Sequence, residues 1–231
     1  MSIITGVPMI YSMSVEAALM LVSFCLYPTF GLLNKKNRRP ENTERPILLV
    51  HGYLHNASAW LYLTHRLAKE GFGSTYAINL WPPFCSIERY VELVKDRVKK
   101  IQEETGRQDV LLIGHSMGGL VVSQAALDLS LSQAITLGSP LRGTPVAYIG
   151  LGKNAKQMHP GSLFTTQLQQ KLLNNKTVRF LHVGSKADGV VPEKYALPEP
   201  SALAEQFSVA DLGHMSLLYS PRIARKILDW V

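Results

Sequence analysis

The sequence predicts an α/β fold: a mostly parallel sheet with helices on both faces, plus a small cap. Three observations predict it. Short apolar runs alternate with longer stretches of helical period. Those runs are continuously apolar, as strands covered on both faces require. The side chains best suited to chemistry fall just after the runs, where parallel sheets bind their ligands.

The chain has 231 residues, which suits one domain with one core, and its 46% hydrophobic and 18% charged content excludes a disordered chain. The formal net charge is +7. Such an excess suits an anionic membrane or a plain solvated basic surface. No nucleic-acid motif of the common types is present, so no nucleic-acid partner is expected. The only cysteines, Cys25 and Cys85, give neither a disulfide framework nor a zinc spacing, and no metal is expected.

Residues 1–34 carry one acidic side chain, Glu16, and no basic one; Ala17 to Leu33 is uncharged. That run sits at the short end of the roughly 17–25 residues that cross a bilayer. A basic leader region and a small-residue cleavage site are both missing, so a cleaved signal peptide fits poorly. Two readings stand. The segment is a membrane anchor or interfacial helix, with Lys35-Lys36-Asn37-Arg38-Arg39 and the following domain on the cytoplasmic side. Alternatively it packs on the core of a soluble cytoplasmic protein. Pro28 and Gly31 would kink or end a helix there. Residues 35–45 read as a basic, polar linker, and the folded domain is expected over 46–231.

Ile47 to Val50 is an apolar run bounded by Pro46 and by His51-Gly52, and it reads as a buried strand. Ser58 to Lys69 has helical spacing and stops at Gly71. Thr75 to Leu80 is a second strand. Ile87 to Glu104 is an amphipathic helix with Ile87, Val91, Val94, Val98 and Ile101 on one face, ended by Gly106. Val110 to Ile113 is a third strand, and Gly119 to Leu129 the helix after it. Ala134 to Leu137, Val178 to Val183 and Phe207 to Ala210 complete the strands. Leu217 to Trp230 reads as a closing helix.

Gly114-His115-Ser116-Met117-Gly118 has the form G-x-S-x-G between a strand and a helix. A nucleophilic serine there must sit on a sharp turn with its Oγ projecting. Its neighbours two residues away must be small, because strand and helix pass close together. Ser116 is therefore the candidate nucleophile. Two preorganised N–H donors should face the developing oxyanion. One is expected from Met117 and the other from the loop after the first strand, at Tyr53, with Gly52 allowing close approach and His51 organising the loop.

The motif in this context resembles that of α/β-hydrolases, in which the orienting acid and then the base follow the serine along the chain. Asp188 follows a strand end, in Gly184 to Pro192, and is the candidate acid; Asp211 is the next choice. His214 follows the last strand and is the candidate base. His182 lies inside a strand and suits the core, and His159 lies in an irregular region. His55 and His65 read as surface or helix residues.

Together His51-Gly52, Gly114 to Gly119, Asp188 to Pro192 and Gly213-His214 resemble the α/β-hydrolase fold, of the lipase and esterase type, over about residues 46–231. Gly138 to Thr144 resembles the G-T-P-x-x-G-T stretch of triacylglycerol-lipase-like members, with Ser139 in place of the threonine. Pro160-Gly161-Ser162 resembles the P-G-S of their cap. The resemblance implies hydrolysis of a carboxylic ester through Ser116, His214 and Asp188, with no metal or organic cofactor. Acyltransfer or thioester cleavage by the same triad is the alternative, and a non-catalytic, membrane-tethered interaction protein a further one.

Between about residues 144 and 176 the strand pattern lapses, and a cap over the site is expected. Val146, Tyr148, Ile149 and Leu151, and the helix face of Leu163, Phe164, Leu168 and Leu172, make it apolar. That character suits a lipid or acyl ester as substrate, or simple packing of the cap on the domain. Gly52, Leu54, Leu141 and Val190 are the candidate pocket residues, with Tyr53, Trp81 and Phe84 as further ones.

Overall fold

A computed structural model describes residues 45–70, 72 and 74–231. The expected apolar segment at 1–34, almost all of the linker and the stop at Gly71 lie outside the described residues. Six strands form one sheet: β1 (Ile47–Val50), β2 (Thr75–Ile78), β3 (Leu111–His115), β4 (Gln133–Leu137), β5 (Arg179–Ser185) and β6 (Ala204–Val209). All pairings are parallel, in the order β2-β1-β3-β4-β5-β6. The chain winds outward from β1 to β2, then returns to lay β3 on the other side of β1. This reversal opens a crevice beyond the carboxyl ends of β1 and β3, the usual ligand position in such sheets.

Strand parity divides the core. Leu48, Val50, Leu112 and Phe180 face α2 (Ile87–Thr105), α3 (Met117–Leu129) and α5 (Leu163–Leu173). Ile47, Leu49, Ile113, Leu137 and Val183 face α1 (Leu61–Lys69), α7 (Ser216–Tyr219) and α8 (Pro221–Trp230). Both layers being filled explains why the central strands lack polar alternation. In α2, all five expected face residues are buried. Ser86 caps it, its Oγ accepting the Arg89 N–H, and Gly106 ends it in the left-handed region at φ 69°.

Two elements differ from expectation. The closing helix is broken at Ser220, whose side chain caps α8 by accepting the Ile223 N–H, with Pro221 in the first turn. The 144–176 region divides in two. A 3-10 turn (Pro145–Ile149) and α4 (Gly152–Gln157) cover the crevice, whereas α5 packs on α3 as an ordinary layer helix. Phe164, Leu168 and Leu172 face inward, but Leu163 is exposed. A short α6 (Glu193–Ala196) lies between β5 and β6. No helix among the described residues is long and apolar enough to cross a membrane.

Candidate active site

Ser116 lies between β3 and α3 at φ 53°, ψ −127°, a backbone conformation that disfavours any side chain. The surrounding chain over-determines it. The Ser116 N–H donates to Leu137 O at 2.9 Å, and Ser116 O accepts from Gly119 N at 2.9 Å. The glycines are dictated by contact: a Cβ on Gly114 would stand 2.4 Å from Gly118 O, and one on Gly118 would stand 2.2 Å from Val50 O. The serine is nearly buried and opens on the crevice.

The two residues read as acid and base are joined. His214 Nδ1–H donates to Asp188 Oδ2 at 2.8 Å, and both side chains are buried. The other carboxylate oxygen, Oδ1, accepts the N–H groups of Val190 and Val191, each at 2.8 Å. The carboxylate is thus held by three donors, which fix its plane. Asp211, the second choice for the acid, pairs instead with Arg222 at the surface. Gly138, at φ 53°, passes directly behind the pair; a Cβ there would lie 3.1 Å from Asp188 Oδ2 and 3.3 Å from His214 Nδ1.

His214 is tied to the turn at Ser116 through His115. The His115 Nε2–H donates to the His214 carbonyl oxygen at 3.1 Å, and the two rings lie 4.6 Å apart. The ring is wholly buried, and desolvation holds its pKa well below the usual histidine value. A direct bond from Ser116 Oγ to His214 Nε2 is not among the hydrogen bonds of the described residues. Catalytic hydrogen bonds are often long in unliganded sites.

The loop after β1 closes the other side. His51 is neutral by geometry: Nδ1–H donates to Gly52 O at 2.8 Å, while Nε2 accepts the Leu80 N–H at 3.0 Å. Burial lowers its pKa to about 4. The N–H groups of Tyr53 and Met117 have no acceptor among the described residues. The Tyr53 hydroxyl donates to Leu151 O and accepts from Leu151 N, both at 2.9 Å, so it pins the cap to this loop. His55 departs from the surface reading: it is half-buried near His214, and burial lowers its pKa.

A cavity of about 350 Å³ opens over Ser116. Of the expected pocket residues it takes Tyr53, Leu54, Phe84 and Val190. Two expectations are corrected. Leu141 is fully buried in the core, because the turn after β4 carries it beneath the site. Gly52 lies behind Ser116; a Cβ there would stand 2.8 Å from Ser116 Cβ. Trp81 is exposed and is not among the lining residues. Pro140, Thr144, Ala155, Met158 and Val191 also line the cavity and were not singled out from sequence. Their apolar character was readable, but nothing local says which of them turn inward. Among the described residues no group of three or more His, Cys, Asp or Glu is arranged to hold a metal ion.

Residues 47–221 match the model of a family described as alpha/beta hydrolase. No curated protein matches the sequence. Solved structures match its fold. A lipase of Bacillus licheniformis in mature form superposes with a TM-score of 0.72 at 18% identity, over 85% of this chain and 96% of that one. A monoacylglycerol lipase of Paleococcus ferrophilus gives 0.64 at 17% identity, over 80% and 95%. A carboxylesterase of Bacillus subtilis gives 0.58 at 14% identity, over 81% and 84%.

Proposed function

The chain belongs to the alpha/beta hydrolase family, and from that membership we propose that it is a serine hydrolase cleaving carboxylic esters of lipid or acyl type. The observation that carries this reading is the buried His214–Asp188 bond of 2.8 Å beside a strained serine that opens on an apolar cavity.

In this reading Ser116 Oγ attacks the ester carbonyl carbon while His214 Nε2 takes its proton. Asp188 keeps the imidazole in the Nδ1–H tautomer and stabilises the imidazolium. The N–H groups of Tyr53 and Met117 receive the negative charge that develops on the carbonyl oxygen. Collapse expels the alcohol, which leaves with the proton from His214, and the acyl group stays on Ser116. Water, deprotonated by His214, then attacks the acyl-enzyme and releases the acid. The acyl chain lies among Leu54, Val146, Ile149, Leu151 and Met158, all of which line the cavity.

A fluorophosphonate reagent tests the assignment. It labels the wild-type chain, and Ser116→Ala abolishes labelling; labelling that persists would move the nucleophile elsewhere. A chain-length series of p-nitrophenyl esters then reads the acyl preference, with medium chains turned over at higher kcat/KM than acetate.

A further inference from the structure

The outer rim of the cavity carries an observation separate from its interior. Ile149 is 86% exposed, Leu151 69% and Leu54 66%, yet all three line the cavity mouth. Tyr148, beside them, is 63% exposed. Contiguous apolar side chains projecting this far mark a surface that meets something else.

The charge pattern says what. From Leu129 to Ala187 there is no Asp or Glu, while seven Lys and Arg occur, equal to the whole excess of +7; the rest of the chain carries seventeen of each sign. Two of the seven, Lys153 and Lys156, belong to the segment that roofs the cavity, and Arg142 lies in the turn before it. Arg142 pairs with Glu199 at 2.9 Å, whereas Lys153 and Lys156 are exposed on α4 and enter no ion pair among the described residues. They are fixed relative to the apolar rim, since Lys153 N–H donates to Phe84 O and Asn154 N–H to Cys85 O, both at 3.0 Å. Lys171, Lys176 and Arg179 lead away toward the opposite end of the sheet.

We propose that this face seats on an anionic phospholipid surface. Leu54, Tyr148, Ile149 and Leu151 enter the interfacial region, and Lys153 and Lys156 meet the headgroup phosphates. A lipid surface suits the face better than a protein partner, because the cavity mouth opens at its centre. A protein seated there would close the mouth, whereas a bilayer leaves it open to molecules within the leaflet. Only the identity of what enters the cavity rests on the ester-hydrolase reading; the docking itself does not.

The test uses the full chain carrying Ser116→Ala, so that lipid is not consumed, and measures partition onto vesicles. Phosphatidylcholine with 30 mol% phosphatidylglycerol is compared with phosphatidylcholine alone, at low and high salt. Binding is expected to be tighter on the anionic vesicles and weakened by salt. Lys153→Glu with Lys156→Glu should weaken it by about five-fold or more for each lysine. Ile149→Glu with Leu151→Glu should weaken it at least ten-fold, with the thermal midpoint of both double variants unchanged. Equal partition on the two vesicle types, or binding that neither double variant alters, would overturn the proposal and assign any membrane affinity to other residues. A dimer that dissociates on Ile149→Glu would overturn it in favour of a second copy. Because the assay has no chemical step, loss of the ester-hydrolase reading would leave its result standing.

Discussion

His115 donates from Nε2–H to the carbonyl oxygen of His214 at 3.1 Å, so the residue before Ser116 holds the backbone that carries the His214 imidazole. The link spans 99 residues of sequence and joins the turn after β3 to the loop after β6. Removing it should loosen the imidazole without removing any reacting group. His115→Ala is expected to lower kcat/KM on a soluble p-nitrophenyl ester by about 10- to 100-fold. His115→Gln, which can donate to the same carbonyl, should recover part of the loss. Equal rates in all three proteins would deprive the contact of any positioning role.

Asp188→Asn should separate orientation from packing. Its amide oxygen can still accept from Val190 and Val191, but the amide nitrogen would face His214 Nδ1 and force the proton onto Nε2. The base is then lost, and kcat should fall by about 10⁴-fold with little change in thermal midpoint. A residual kcat within ten-fold of wild type would remove Asp188 from the mechanism.

The Tyr53 hydroxyl is the only group of its side chain that reaches Leu151 by hydrogen bond. Tyr53→Phe frees the cap at that point at a cost of about 1 kcal/mol per bond. KM for a medium-chain ester should rise several-fold, while kcat on the acetate ester stays within two-fold. A uniform loss on both substrates would show that the hydroxyl supports the loop and not the cap.

His51, His115 and His182 are buried neutral, chiefly because desolvation penalises their charged forms. The unfolded chain protonates these rings near pH 6.5, whereas the folded chain does so only at about 4 for His51 and about 3 for His182. The unfolded state therefore binds more protons within that window. Their contribution is present in full above about pH 6.5 and is lost progressively as pH falls toward 4 and then 3. The urea midpoint should drop steadily between pH 7 and pH 4.5. His182→Leu should flatten part of that slope; an identical slope would exclude this ring as a contributor.

The strands and the sharp turn at Ser116 were legible because their causes are local. Val50, Ile113 and Leu137 sit in apolar runs that end where the crevice begins, and Gly114 and Gly118 answer contacts within one turn. Asp188 and His214, which meet at 2.8 Å, both follow strand ends in the sequence. What sequence could not convey was direction. Leu141 stands three residues from Gly138 and looks like Leu54 on paper, yet one is buried and the other projects. Thr144, Ala155 and Met158 meet over the serine only because the 3-10 turn and α4 fold back across it. The tie between His115 and His214 and the clamp between Tyr53 and Leu151 each join distant segments, and no local pattern announces either. Pro221 sits at the first turn of α8, where its missing N–H costs nothing, and the closing helix breaks just before it.

The reversal of strand order between β1 and β3 has a consequence for biosynthesis. The loops after β1, β2, β3, β4 and β5 line one crevice, and the His214 imidazole, after β6, emerges from the ribosome last. A nascent chain that has already folded the turn at Ser116 still lacks His214 and its bond to Asp188. With Ser116 and His214 acting together as proposed, turnover begins only after the final strand has docked, which makes recovered activity a clock for completion of the sheet.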